Sequence, residues 1–137
     1  IYEAEELNRK KLAQIVFNDS QQLQKLNDLV HPLVKQHFLD WKSKQTTAYV
    51  LKESAILFES DSYKDCDIVI TVEAPVEVRI NRVIKRDKIS QEEVESRMSK
   101  QWSESQRTSK SNYIIQNIDF DETPKIVDKI WQEINLK

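Results

Sequence analysis

Glycine does not occur in these 137 residues. Average usage near 7 % would supply about ten in a chain of this length. A phosphate loop of the form G-x-x-x-x-G-K-[ST] and a dinucleotide-binding turn G-x-G-x-x-G are both excluded from this sequence. Left-handed positions that end helices must fall to Asn and Lys instead. Cys66 is the one cysteine, so there is no disulfide framework and no thiolate zinc site. The two histidines, His31 and His37, stand without a cysteine neighbour or an H-E-x-x-H pattern, and no metal site is expected from them. No unbroken apolar run exceeds four residues, the length of Ala55 to Phe58, so no membrane association is expected. The first thirty residues lack a basic-then-apolar leader pattern, which makes the cytoplasm the expected compartment. Net charge is −2, giving no basic balance that points to nucleic acid and no acidic excess of a solvated tail.

What is present is one domain's worth of chain, long enough to bury a core unaided. Residues 6–17 carry Leu7, Leu12, Ile15 and Val16 near the helical period. Asp19-Ser20 offers a cap for a second helix with Leu23, Leu26, Leu29 and Val30. Pro32 is suited to open a third helix, reaching about Ser43, with Leu33, Val34, Phe38 and Trp41 toward a core. Tyr49-Val50-Leu51 reads as a short strand. Asp67 to Val72 is apolar without alternation, as in a parallel strand covered on both faces. Pro75 starts a helix, and Ser90-Gln91-Glu92-Glu93 is a capping box that opens another, ending near Trp102. Tyr113 to Gln116 is a third strand, and Thr123-Pro124 introduces a last helix with Ile126, Val127, Ile130, Trp131 and Ile134 on one side. Strands alternating with helical connections imply crossovers and a parallel sheet. The expected organisation is α/β within a single domain 1–137: a helical subregion 1–47 and a sheet part 48–137.

Charge is unevenly placed. Residues 79–110 hold nine cations against five anions, +4, which leaves −6 for the remainder. Such a cationic helix–turn–helix fits a flap closing over an anion. Arg82 and Arg86 stand four apart on one helical face. Their repulsion is offset either by a carboxylate, with Asp87, Glu77 and Glu93 nearby, or by a polyphosphate held through the guanidinium forks. His31, before Pro32, is either a helix cap or a donor aimed at a ligand beside a helix N-terminus. Glu53 and Glu59 flank the apolar run after the first strand and either face the crevice beyond the strand ends or balance the basic flap. Cys66, Trp41 and Trp131 are expected in the core.

An ordered series of short segments resembles the dephospho-coenzyme A kinases, within the P-loop nucleoside-monophosphate-kinase-like group. Leu7-Asn8-Arg9-Lys10-Lys11-Leu12 is similar to the family's L-D-R-x-x-L, with Asn8 in place of Asp. Leu26-Asn27-Asp28-Leu29-Val30-His31-Pro32 resembles its L-N-x-I-x-H-P, and Ala55 to Glu59 its P-L-L-F-E. Cys66-Asp67 and the following strand match its C-D-x-V-I-V-V. Arg79, Arg82, Arg86 and Asp87 match the entry to its lid, and Ser90, Glu92, Glu93, Arg97 and Gln101 the return. Ile114-Ile115-Gln116-Asn117 resembles its V-I-x-N.

The resemblance implies a P-loop NTPase-like fold with a helical acceptor-side subregion and a helical lid at about 82–101. It implies transfer of a phosphoryl group from Mg·ATP to the ribose 3′-hydroxyl of dephospho-CoA, the final step of coenzyme A biosynthesis. Arg86 and Arg97 would then be catalytic, Arg86 holding the phosphates. Arg82 and Asn117 would lie on the adenine side, and Arg9, His31 and Pro32 on the dephospho-CoA side. The family's first strand, its phosphate loop and the general base expected soon after do not occur in this sequence. The magnesium ligand is expected there too, so the 137 residues by themselves are expected not to turn over ATP. Two other readings remain. One is another nucleoside or nucleotide kinase of the same group, since paired lid arginines are shared. The other is a non-catalytic module whose basic helices dock an acidic partner.

Overall fold

Asn8 divides the first strand pair from the first helix. In the computed structural model, which describes residues 1–3, 5–17 and 19–136, β1 (Tyr2–Glu3) and β2 (Glu6–Leu7) form an antiparallel hairpin with Tyr2 opposite Leu7. The helix expected from residue 6 therefore begins only at Arg9, as α1 (Arg9–Phe17). Asn8 stands at its start: the side-chain oxygen accepts the Lys11 N–H at 2.9 Å and the carbonyl accepts the Leu12 N–H at 3.0 Å.

α2 (Ser20–Lys42) opens on Asp19, whose carboxylate accepts from Gln21 and Gln22 N–H. It runs 23 residues without a break and contains Pro32 in its interior. The third helix expected to start at Pro32 does not exist. Proline lacks the N–H that would bond the Asp28 carbonyl and costs a helix about 3 kcal/mol. Here a dozen residues before it and ten after it carry the helix across the gap, with Gln24–Asp28 and Gln36–Asp40 side-chain bonds on either side. The expected core face of this segment is corrected as well. Leu33, Val34 and Trp41 are exposed, and Phe38 packs on Trp41 with Lys52 Nζ 4.9 Å from its ring centre. α1 packs against α2, and Val16 is buried.

The molecule divides into two compact units, Ile1–Lys52 and Glu53–Lys137. The second holds a parallel sheet. β3 (Ile70–Glu73) and β4 (Tyr113–Gln116) pair in register from Ile70–Tyr113 to Glu73–Gln116. Between them come α3 (Val76–Asp87), α4 (Gln91–Met98) and α5 (Glu104–Thr108), and α6 (Thr123–Asn135) follows β4 and packs on it. The fold is α/β with a parallel sheet and flanking helices, as expected.

Tyr49 to Leu51 is not a strand. Leu51 is 86 % exposed, and the Tyr49 carbonyl accepts the Thr47 hydroxyl in a local turn. A strand exists only beside a partner, and none of the described residues lies along this segment as one. β3 departs from the expectation of apolar cover on both faces: Thr71 and Glu73 are buried while Ile70 and Val72 are exposed. Burial of the two polar residues is tolerated because each is bonded, Thr71 to Ser111 and Glu73 to Arg107. Trp131, expected in the core, is half-exposed, whereas Ile130 beside it is buried.

The lack of glycine is met in part as expected, with a lysine but no asparagine among the described residues at a left-handed helix end. Glu5, Asp61 and Lys88 occupy left-handed backbone, with Lys88 (φ 54°) ending α3. Two residues later Ser90 caps α4 in a complete capping box with Glu93. No helix among the described residues is long and apolar enough to cross a membrane.

Candidate functional site

The carboxyl ends of β3 and β4 lie side by side in register, and open parallel sheets bind ligands beyond such ends. The segments leaving them carry most of the candidate residues of the second unit. Asn117 follows β4 directly. Its N–H donates to the Glu73 carbonyl at 2.7 Å, and its side-chain oxygen accepts the Thr123 hydroxyl at 3.2 Å. Arg82, on α3, reaches the same loop: Nη1 donates to the Asn117 carbonyl at 2.6 Å and Nη2 to the Ile118 carbonyl at 3.0 Å. The guanidinium lies over Phe120, 4.6 Å from its ring centre, a cation–π contact. Arg82 and Asn117 are thus brought together.

Arg86 shares a helical face with Arg82 but takes a different partner. Its Nε and Nη2 donate to the two carboxylate oxygens of Asp87 at 2.7 and 3.2 Å. Arg97, returning on α4, places Nη1 3.4 Å from Asp87 Oδ2. Two guanidinium groups from the two arms of the hairpin therefore converge on one carboxylate. The Arg86 hydrogen bond, then the positive charge of Arg86 and Arg97, holds the Asp87 carboxyl below the usual aspartate range. The same bond raises the Arg86 guanidinium above its ordinary value. Arg86 remains 74 % exposed at its side chain, so these pairs are solvent-screened.

The base of the hairpin is built from residues whose pairing sequence reading missed. Glu73, at the end of β3 and 2 % exposed, takes the Arg107 fork: Nη2 lies 2.8 Å from Oε1 and 3.1 Å from Oε2, and Nε lies 3.2 Å from Oε1. Arg107 also donates to the Trp102 carbonyl. Glu59, left between two readings by the sequence, accepts the Trp102 N–H at 2.6 Å. α5, which carries Arg107, was legible in Ser103-Glu104-Ser105-Gln106, a capping box that the structure forms in full.

The remaining candidates belong to the first unit. Arg9 is the first residue of α1 and is exposed. His31 is half-buried and Pro32 exposed, both in the middle of α2. His31 lies eleven residues past the start of its helix, so it neither caps a helix nor stands at an N-terminus. Among the described residues no group of His, Cys, Asp and Glu could hold a metal ion.

The sequence profile of the dephospho-CoA kinases matches residues 1–122. The chain belongs to the dephospho-CoA kinase family. It is 38 % identical over 111 residues to the dephospho-CoA kinase of Fusobacterium nucleatum, covering 81 % of this chain and 58 % of that protein. It is 40 % identical over 113 residues to the dephospho-CoA kinase of Leptospira interrogans, covering 80 % and 54 %. Its fold matches the crystal structure of TT1252 from Thermus thermophilus with a TM-score of 0.88 at 28 % identity, over 96 % of this chain and 69 % of that one. It matches the dephospho-CoA kinase from Campylobacter jejuni with a TM-score of 0.65 at 27 % identity, over 98 % and 68 %. The fold is that of the P-loop NTPases. The chain spans a little over half the length of these dephospho-CoA kinase sequences.

Proposed function

We propose that the protein containing this chain is a dephospho-CoA kinase, which phosphorylates the ribose 3′-hydroxyl of dephospho-CoA with ATP and completes coenzyme A. The observation that carries the reading is the convergence of Arg86 and Arg97 on the Asp87 carboxylate. A carboxylate gripped by two guanidinium groups stands in for a phosphate: both present oxygens at the spacing a planar fork accepts. Phosphoryl transfer needs positioning and positive charge at the transferring group more than covalent chemistry. Arg86 and Arg97 supply that charge from two arms of one hairpin, and exchange Asp87 for phosphate oxygens when a nucleotide enters.

Arg82 and Asn117 form the adenine side in this reading. Support comes from their shared position at the carboxyl ends of the strands, where the Arg82 fork fixes the loop after β4. Arg9, His31 and Pro32 serve the dephospho-CoA side. Their support is the family match over residues 1–122. Magnesium accompanies ATP in this reading, held by one or two carboxylates together with water and the nucleotide phosphates, and no step here runs through the ion.

The test is an ADP-release assay on the full reading frame, with ATP and dephospho-CoA varied independently. The expected result is ADP formed in step with dephospho-CoA consumed, and a product carrying one added phosphate at the ribose 3′ position. ADP formation indifferent to dephospho-CoA would refute the assignment.

A further inference from the structure

The basic hairpin α3–α4 leaves the sheet through Pro75 and comes back through residues 99–103. The returning end is received by two carboxylates rather than by apolar packing alone. Trp102 has both of its backbone groups tied. Its N–H goes to Glu59 Oε1, and its carbonyl takes Arg107 Nη1, while Arg107 is itself held by both oxygens of the buried Glu73. The indole stacks on the buried Phe58 ring at 5.6 Å and meets Tyr63 edge-on at 6.0 Å. Gln101, one residue earlier, donates to the Ala55 carbonyl at 3.4 Å. These partners lie 34 to 46 residues away in sequence, so they join the hairpin's end to the body of the unit.

Glu73 occupies an expensive position. A buried carboxylate is retained only if it is fully bonded, and a pair of well-packed apolar side chains would stabilise the fold as well or better. What the ionic pair supplies instead is direction: a bidentate fork accepts one orientation. Arg107 keeps its Nη1 amino group free of Glu73, and that group donates to the peptide that ends the hairpin's return arm. Five residues before that peptide stands Arg97.

We infer that Glu59, Glu73 and Arg107 fix Trp102 as a post on which the α3–α4 hairpin turns, and that they are positioning residues for Arg97 and Arg86. The role rests on the kinase reading for its effect on phosphoryl transfer. The post itself rests only on the bonds just given. Loosening the post leaves the arginines in place chemically but displaces them, and displacement of about 1 Å at a transferring group can cost up to about 100-fold in rate.

Two variants of the full reading frame test this. Glu73→Leu/Arg107→Met removes the ionic pair without stranding a buried charge. Arg107→Lys keeps a cation for Glu73 and loses the fork. Amide hydrogen exchange over residues 99–104 is expected to quicken by about tenfold or more in the double variant, with β4 and α6 unchanged. In the same protein kcat is expected to fall about 10- to 100-fold, while KM for ATP moves by less than about threefold. Arg107→Lys is expected to recover part of both, and it carries the test alone if the double variant does not fold. Unchanged exchange over 99–104 in a folded variant overturns the post. Faster exchange with unchanged kcat overturns the positioning role. A parent protein that transfers no phosphate to dephospho-CoA refutes the kinase reading, and the exchange measurement then decides the post by itself.

Discussion

The two ends of the α3–α4 hairpin use the same chemistry in opposite settings. At the tip, Arg86 and Arg97 meet Asp87 in solvent. At the base, Arg107 meets Glu73 with 15 % and 2 % of the side chains exposed. Both are arginine–carboxylate pairs with more than one hydrogen bond. The exposed pair is screened and exchangeable, so its partner can be replaced by a ligand. The buried pair cannot open without leaving a charge in a low-dielectric interior, so it serves as a fixture. An arginine's function is therefore decided less by its partner than by whether water can take the partner's place.

The comparison breaks most readily at the tip. Arg86→Ala in the full reading frame is expected to lower kcat by about 10³-fold, with a smaller effect on KM for ATP, because its bonds to phosphate strengthen as transfer proceeds. Arg86→Lys should recover only part, since an ammonium keeps the charge and loses the planar fork. Steady-state kinetics with a kcat within a factor of two of the parent would make the tip an ordinary solvated face. At the base the expected loss is in stability instead. Arg107→Ala strands the Glu73 carboxylate and should cost about 3–5 kcal/mol, read from denaturant unfolding. A cost below that of an exposed pair would mean the base is no fixture.

Between the two ends, the turn is tuned by smaller terms. Ser90→Ala removes one half of the capping box and is expected to destabilise the fold by about 1 kcal/mol. Lys88→Gly relieves a left-handed backbone at a residue with a Cβ and is expected to change stability by less than about 1 kcal/mol, upward, in the same unfolding measurement. The least effect concerns acid. Asp87 has its folded value depressed, so its ion pairs stabilise the tip above the ordinary aspartate range and are lost as pH falls through that lower folded value. An NMR titration should place its midpoint below that of a free aspartate, and Arg86→Ala should move it back up. An unshifted midpoint in the parent would show that the tip pairs do not persist in solution.

How much of this could be read in advance depends on distance along the chain. The Tyr113–Gln116 strand and the Ser90–Glu93 capping box are local patterns, and both formed as the residues indicate. Lys88 in left-handed backbone follows from the absence of glycine near a necessary helix end. Pro32 misleads because a local rule about helix starts is overridden by a helix long enough to carry the proline inside it. Tyr49 to Leu51 misleads because an apolar run is a strand only when a neighbour supplies the ladder. At the site, spacing and charge brought Arg82 and Arg86 into view, and the family resemblance added Arg97 and Asn117. It gave no hint that Arg82 would be spent on the carbonyls of Asn117 and Ile118. Glu73 and Arg107 are 34 residues apart, and nothing in either one's neighbourhood names the other.

The parallel pairing of β3 with β4 also sets an order of events as the chain folds. Ile70 meets Tyr113 only after the whole of α3, α4 and α5 has been looped between them. Closing so long a loop costs entropy before the first ladder bond can repay it, and the cost grows only slowly once the loop is long. Isolated helices of twelve, eight and five residues are marginal in water, but each turn that forms transiently shortens the flexible path that remains. The ladder between β3 and β4 is thus the long-range step, and packing on it is what holds the helices. A weakened cap at Ser90 would slow refolding of the second unit as well as destabilise it, because the strand ends would have to find one another across a looser chain.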